Sequence, residues 1–134
     1  MTITAEKIQA GLQAGLKKAK DLNSPSSISI VDGGRNLLGF VRMENALLAS
    51  IEISQAKAYT ARSLNMKTGD VMPLVQPGGP LYGMEHSHRQ AWVVFAGGVP
   101  IVHQGNVIGA VGVAGGMPPD DEAIATAAAE AIAG

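Results

Sequence analysis

Two spacings of apolar residues alternate along the chain, one of about two residues and one of about 3.6, and their order predicts its elements. Ile8, Leu12, Leu16 and Ala19 recur at helical spacing. They predict a first helix from an N-cap at Thr4 to about Leu22, with Lys17, Lys18 and Lys20 in the last turns where cations suit the dipole. Asn23-Ser24-Pro25 ends it. Ser26–Val31 then alternates as a strand, Asp32-Gly33-Gly34 turns the chain, and Leu37–Met43 returns. From Ala46 to about Leu64 the pattern is helical again, with Leu47, Leu48, Ile51 and Ala58 on or near one face. Ala91–Phe95, Val99–His103 and Val107–Ala114 read as three more strands, the last two joined by Gln104-Gly105-Asn106. Pro118 or Pro119 opens a final helix, buried through Ile124, Ala128, Ala131 and Ile132.

The hairpin of Val99–His103 and Val107–Ala114 is the expected centre of the sheet, its second strand above all. Val107, Val111 and Val113 share one face with Gly109, while Ile108, Ala110, Gly112 and Ala114 share the other. A strand apolar on both faces is covered on both. Because most strand connections are short, the prediction is an α+β fold with five mainly antiparallel strands in a single domain over residues 1–134.

Asn65 to Gln90 breaks both patterns. Gly69, Pro73, Pro77-Gly78-Gly79-Pro80 and Gly83 exclude long regular elements there, apart from a short helical turn around Asp70–Val75. Long irregular segments in compact domains tend to be functional. This one carries Tyr82, Met84, Glu85, His86 and His88, so it is the expected site of function.

Composition removes several classes. Hydrophobic residues make up 46% of the chain, enough for a core and against intrinsic disorder. The absence of cysteine excludes disulfides, thiolate catalysis and Cys-based metal sites. A net charge of −1 and no basic run argue against nucleic acid as a partner. The first twenty residues are amphipathic rather than signal-like, and no apolar run approaches the roughly 20 residues of a membrane span. A cytoplasmic location is expected.

Glu85-His86-Ser87-His88 is the sharpest chemical feature. In an extended segment His86 and His88 would project to one side, where both could face a divalent metal or a haem iron. Tyr82, Met84, Glu85, His103 or a second subunit would complete the ligand set. The alternatives are a polar loop with two solvated histidines, and acid/base catalysis by Glu85, His86 and His88. Arg42 and Lys57 are expected to reach one end of the sheet, to hold an anionic substrate or a haem propionate, or else to pair on the surface with Glu44 or Glu52. Asp120 and Asp121 read as N-terminal charge for the last helix. The glycine doublets fit neither a P-loop nor a dinucleotide fingerprint, and turn chemistry accounts for them.

Three blocks carry a family resemblance. GGVPIVHQGNVIGAVGVAGG followed by DDEAIA resembles the C-terminal signature of the GlcG/HbpS family, which includes the C-terminal domain of PduO-type proteins. VDGGRNLLGFVRMENA and SQAKAYTARS resemble its upstream blocks, in the expected order. The chain departs from the pattern at Glu44-Asn45, where Asp-Gly is usual, and at Ala114, where Ser is common. The resemblance, from about Ile28 to Ile132, implies a profilin-like sandwich with helices on both faces of five strands, and symmetric homo-oligomers. It also implies haem binding, which some members show. No histidine precedes His86, so a ligand in the N-terminal half has no histidine counterpart here.

Three functions follow as expectations. The first is a haem- or metal-binding protein using His86 or His88, with Arg42 or Lys57 at a propionate and a pocket built from Met43, Met66, Met72 and Met84. The second is an enzyme acting on a small oxygenated metabolite at a subunit interface. The third is a sensor or interaction subunit.

Overall fold

The computed structural model describes residues 2–90 and 92–134. Helix α1 (Ala5–Asp21) begins at Thr4, whose backbone is extended and whose hydroxyl accepts the Lys7 N–H at 3.2 Å. Strands β1 (Ser27–Asp32) and β2 (Leu37–Arg42) form a hairpin, and α2 (Ser50–Leu64) follows. A one-turn helix α3 (Thr68–Val71) runs into a 3₁₀ turn at Met72–Val75, close to the expected short helical turn, and a second 3₁₀ turn lies at Met84–His86. The hairpin of β3 (Gly98–His103) and β4 (Asn106–Ala114) leads into α4 (Pro118–Ala133).

The sheet order is β2-β1-β4-β3, every neighbouring pair antiparallel. β4 lies inside as expected, but β3, the other strand of the hairpin expected at the centre, is an edge strand. The fifth strand does not form: Ala91 lies outside the described residues, and Trp92 to Phe95 makes no ladder. The Val93 N–H instead donates to the Thr60 hydroxyl of α2 at 3.1 Å. A helix side chain satisfies this backbone, so the segment follows α2 and the sheet has four strands among the described residues.

Each strand divides its residues between two unlike layers. Ile28, Ile30, Val99, Ile101, Val111 and Val113 face α1 and α4 and build the aliphatic core with Ile124, Ala128 and Ile132. The opposite face is small and polar. There Val31 and Ala110 meet Ala58 and Ala61 of α2, while the Ser27–Ser50 and Ser29–Ser54 hydroxyl pairs bond at 2.8 Å. Gly112 sets the spacing, because a Cβ on it would collide with the Ser54 carbonyl oxygen and reach Ala58 N at 2.5 Å.

The second helix starts later than its pattern suggests. Asn45 adopts a left-handed φ of 69°, and turns at 44–45 and 48–49 precede the helix. Leu47 and Leu48, expected on the helix's apolar face, are 66% and 73% exposed. Ser50 and Ser54 take the buried face instead, since only small side chains fit between α2 and the sheet.

Gly112→Ala is expected to destabilise the fold by about 3 kcal/mol or more, because backbone rather than a flexible side chain must move; urea unfolding measures it. Asp32 gives a second test. Asn36 N–H at 2.9 Å, the Asn36 amide and Gly34 N–H at 2.8 Å hold its carboxyl below the usual carboxylate range. The contribution is full above the unfolded-state value and lost as pH falls through the depressed folded one. Asp32→Ala is therefore less stable than the parent at neutral pH, and the gap closes in strong acid when the two are melted side by side.

Candidate functional site

Lys57 is the largest fully buried side chain among the described residues. It projects from α2 toward the end of β4, where Nζ donates to the Val113 carbonyl at 2.8 Å and to Asp121 Oδ2 at 3.1 Å. The Phe95 ring lies 4.8 Å from the ammonium. Asp121 Oδ1 accepts the Gly116 N–H at 3.1 Å. The two side chains are 1% and 3% exposed. Burial pushes the Lys57 pKa down and the Asp121 pKa up, and each partner opposes the shift of the other. The hydrogen bonds that Lys57 donates and the one that Gly116 donates to Asp121 favour the charged form.

Lys57 is thus buried rather than a surface partner of Glu44 or Glu52, and two of its three N–H donors are engaged by Val113 O and Asp121 Oδ2. Asp121 is more than charge at a helix start. Nothing in its run, Pro-Pro-Asp-Asp-Glu, marks one acid as buried; only its nearness to Lys57 does. Arg42 is exposed at the end of β2, paired with Ser27, which in turn pairs with Ala114. It shares an end of the sheet with Lys57 but carries no ion pair among the described residues.

Above the pair opens a cleft of about 130 Å³ lined by Leu47, Ile53, Phe95, Gly115 and Gly116. It is too small for a haem. Nor do the methionines pool into one pocket. Met43 packs on the aliphatic core beneath α1 and α4, whereas Met72 is exposed and Met66 and Met84 are half-buried elsewhere.

The histidine segment is not extended. His86 ends the 3₁₀ turn and His88 sits in the bend that follows, so the projection of both rings to one side does not hold. His88 Nε2 and the Tyr59 hydroxyl are hydrogen-bonded at 2.7 Å, and Trp92 meets the imidazole edge-on at 5.3 Å between centroids. The His103 Nδ1 bonds the Ala133 carbonyl at 3.2 Å, at the far end of α4. That leaves His86, whose exposed imidazole has no hydrogen-bond partner among the described residues. Near it in the segment, Leu81 is 44% and Tyr82 68% exposed, and Met84 is half-buried. Glu85 Oε1 and Trp92 Nε1 are buried without a partner. Among the described residues no group of three His, Cys, Asp or Glu side chains could hold a metal ion. The aromatic contacts of His88 come from α2 and Trp92, and no spacing in the sequence announces them.

Replacing Lys57 alone strands a buried carboxylate. Lys57→Ala is expected to cost about 3–5 kcal/mol, whereas the double variant Lys57→Met/Asp121→Leu loses no more than about 1 kcal/mol. Chemical denaturation of the three proteins checks this asymmetry.

Comparison with known proteins adds four findings. A family model described as haem degrading protein HbpS-like matches residues 3–130. An uncharacterised 15.0 kDa protein of the dhaT-dhaS intergenic region of Citrobacter freundii is 42% identical over 127 residues, covering 95% of this chain and 89% of that protein. The corrinoid adenosyltransferase PduO of the same organism is 37% identical over 133 residues, 98% of this chain but only 39% of its own length. Among solved structures, a complex of PduOC with haem superposes with a TM-score of 0.94 at 33% identity, covering 98% of this chain and 96% of that one.

Proposed function

The chain belongs to the HbpS-like family, and from that premise we propose that it is a small haem-binding protein with His86 as axial ligand. One observation carries the reading: of the three histidines, His86 alone has an exposed imidazole with no partner among the described residues. Its setting suits a tetrapyrrole. Leu81 and Tyr82 offer exposed apolar surface, and the buried, unpartnered Glu85 Oε1 and Trp92 Nε1 mark a segment with unfilled hydrogen-bonding capacity. Arg89, exposed and three residues beyond His86 in sequence, is the cation we assign to a propionate, the role first expected of Arg42 or Lys57. Haem bound there supplies redox-active iron, whose properties depend on the axial ligand and on burial.

The cleft beside Lys57, about 130 Å³, does not enclose a haem, so the proposal includes a homo-oligomer in which a second copy covers the ligand. Exposed Leu47, Leu48, Tyr82 and Met117, at 66%, 73%, 68% and 70%, support such a partner. No helix of the described residues is long and apolar enough to cross a membrane.

Titrating the purified protein with haemin tests the reading. A saturable Soret shift at one haem per subunit is expected, with affinity lowered tenfold or more by His86→Ala and largely kept by His88→Ala. A featureless titration rules out haem binding, and dependence on His88 alone moves the ligand.

A further inference from the structure

The turn between β1 and β2 meets the C-terminal end of α2 around a polar cavity of about 220 Å³, lined by Gly33, Arg35, Arg62 and Ser63. Two guanidinium groups border it, and no carboxylate lies within ion-pair distance of either among the described residues. The nearest acid in sequence, Asp32, is turned into its own turn, where it accepts the N–H groups of Gly34 and Asn36.

Each arginine is held through its Nη1 by one side-chain hydrogen bond. Arg62 Nη1 donates to Asn65 Oδ1 at 2.6 Å, which fixes the guanidinium plane. Its Nε is buried with no hydrogen-bond partner. Nε and Nη2, the edge a two-oxygen anion engages with parallel hydrogen bonds, lie on the Gly33 side. Arg35 Nη1 donates to Ser63 Oγ at 3.1 Å, and its guanidinium lies 4.5 Å over the Tyr59 ring. A buried charged donor without an acceptor is costly, and an anion in this cavity removes that cost.

We propose that this cavity is a binding site for a small oxyanion, a carboxylate or phosphate group held by the Nε/Nη2 edge of Arg62 and by Arg35. The site is independent of the haem reading and engages neither His86 nor Arg89. Gly33 belongs to it for a steric reason. A Cβ there would stand 3.9 Å from Arg62 Nε, in the space an anion oxygen needs, while its closest contact, Ile108 O at 3.5 Å, is an ordinary one. Gly33→Ala therefore blocks the cavity without straining the fold.

Isothermal titration of the full chain with inorganic phosphate, and separately with oxalate, at constant chloride and ionic strength, tests the site. Saturable one-to-one binding of at least one probe is expected, weakened tenfold or more in Arg62→Met, Arg35→Met and Gly33→Ala, with circular dichroism showing each variant folded. The tighter probe identifies the chemistry, phosphate or carboxylate. Gly33→Ala keeps both arginines, so weaker binding in it places the anion in this cavity even if an arginine variant unfolds. No saturable heat with either probe, or equal affinity in Gly33→Ala and the parent, overturns the proposal.

Discussion

The close approach of α2 to β4 is the constraint on which this structure depends. Gly112 offers no side chain to that interface, so the helix backbone sits almost against the strand. Residues facing the seam must then be small, and Ala58, Ala61, Ala110, Ser50 and Ser54 meet that demand. Their hydroxyls bond the serines of β1, so the small polar face is filled and satisfied rather than merely tolerated. One large side chain remains on this side, Lys57. It lies along the seam and emerges where β4 ends.

That exit point ties the layers together. α2 covers one face of the sheet, and α1 and α4 cover the other. Lys57 passes beyond the end of β4 to reach Asp121 in the first turn of α4, while Gly116 holds the second carboxylate oxygen. An ion pair in so dry a place adds little net stability over an apolar pair of equal volume. What it supplies is position: α2 cannot slide along the sheet without leaving a charge unpaired.

The layer outside α2 obeys other rules. His88 and Val93 anchor this layer to α2 through Tyr59 and Thr60, and the described residues between Pro77 and Gln90 form no ladder. Their backbone is not committed to the sheet, so side chains there, His86 above all, stay open to an outside partner. At the end of α2 the same helix brings Arg62 to the β1–β2 turn. The same helix thus anchors the histidine segment through Tyr59 and supplies Arg62 to the cavity.

Much of this was legible in the sequence. The two-faced apolar run of β4, the capping Thr4, the turn at Asp32-Gly33-Gly34 and the helix opened by Pro118 are local signals, written within a few residues of where they act, and the folded chain follows them. The irregular segment and its histidines could be found for the same reason. What the sequence could not state was which groups meet. Trp92 to Phe95 has the composition of a strand, yet a hydroxyl on α2 takes its amide; Leu47 and Leu48 fit a helical stripe, yet the seam admits only serines and alanines there. Lys57 and Asp121 lie in runs that look solvated, and only the fold brings them within 3.1 Å of each other. Periodicity and turn chemistry act over neighbouring residues, and these the sequence determined by itself. Burial, ion pairing and the freedom of a single imidazole depend on distances between elements remote in the chain, and only the tertiary structure decided those.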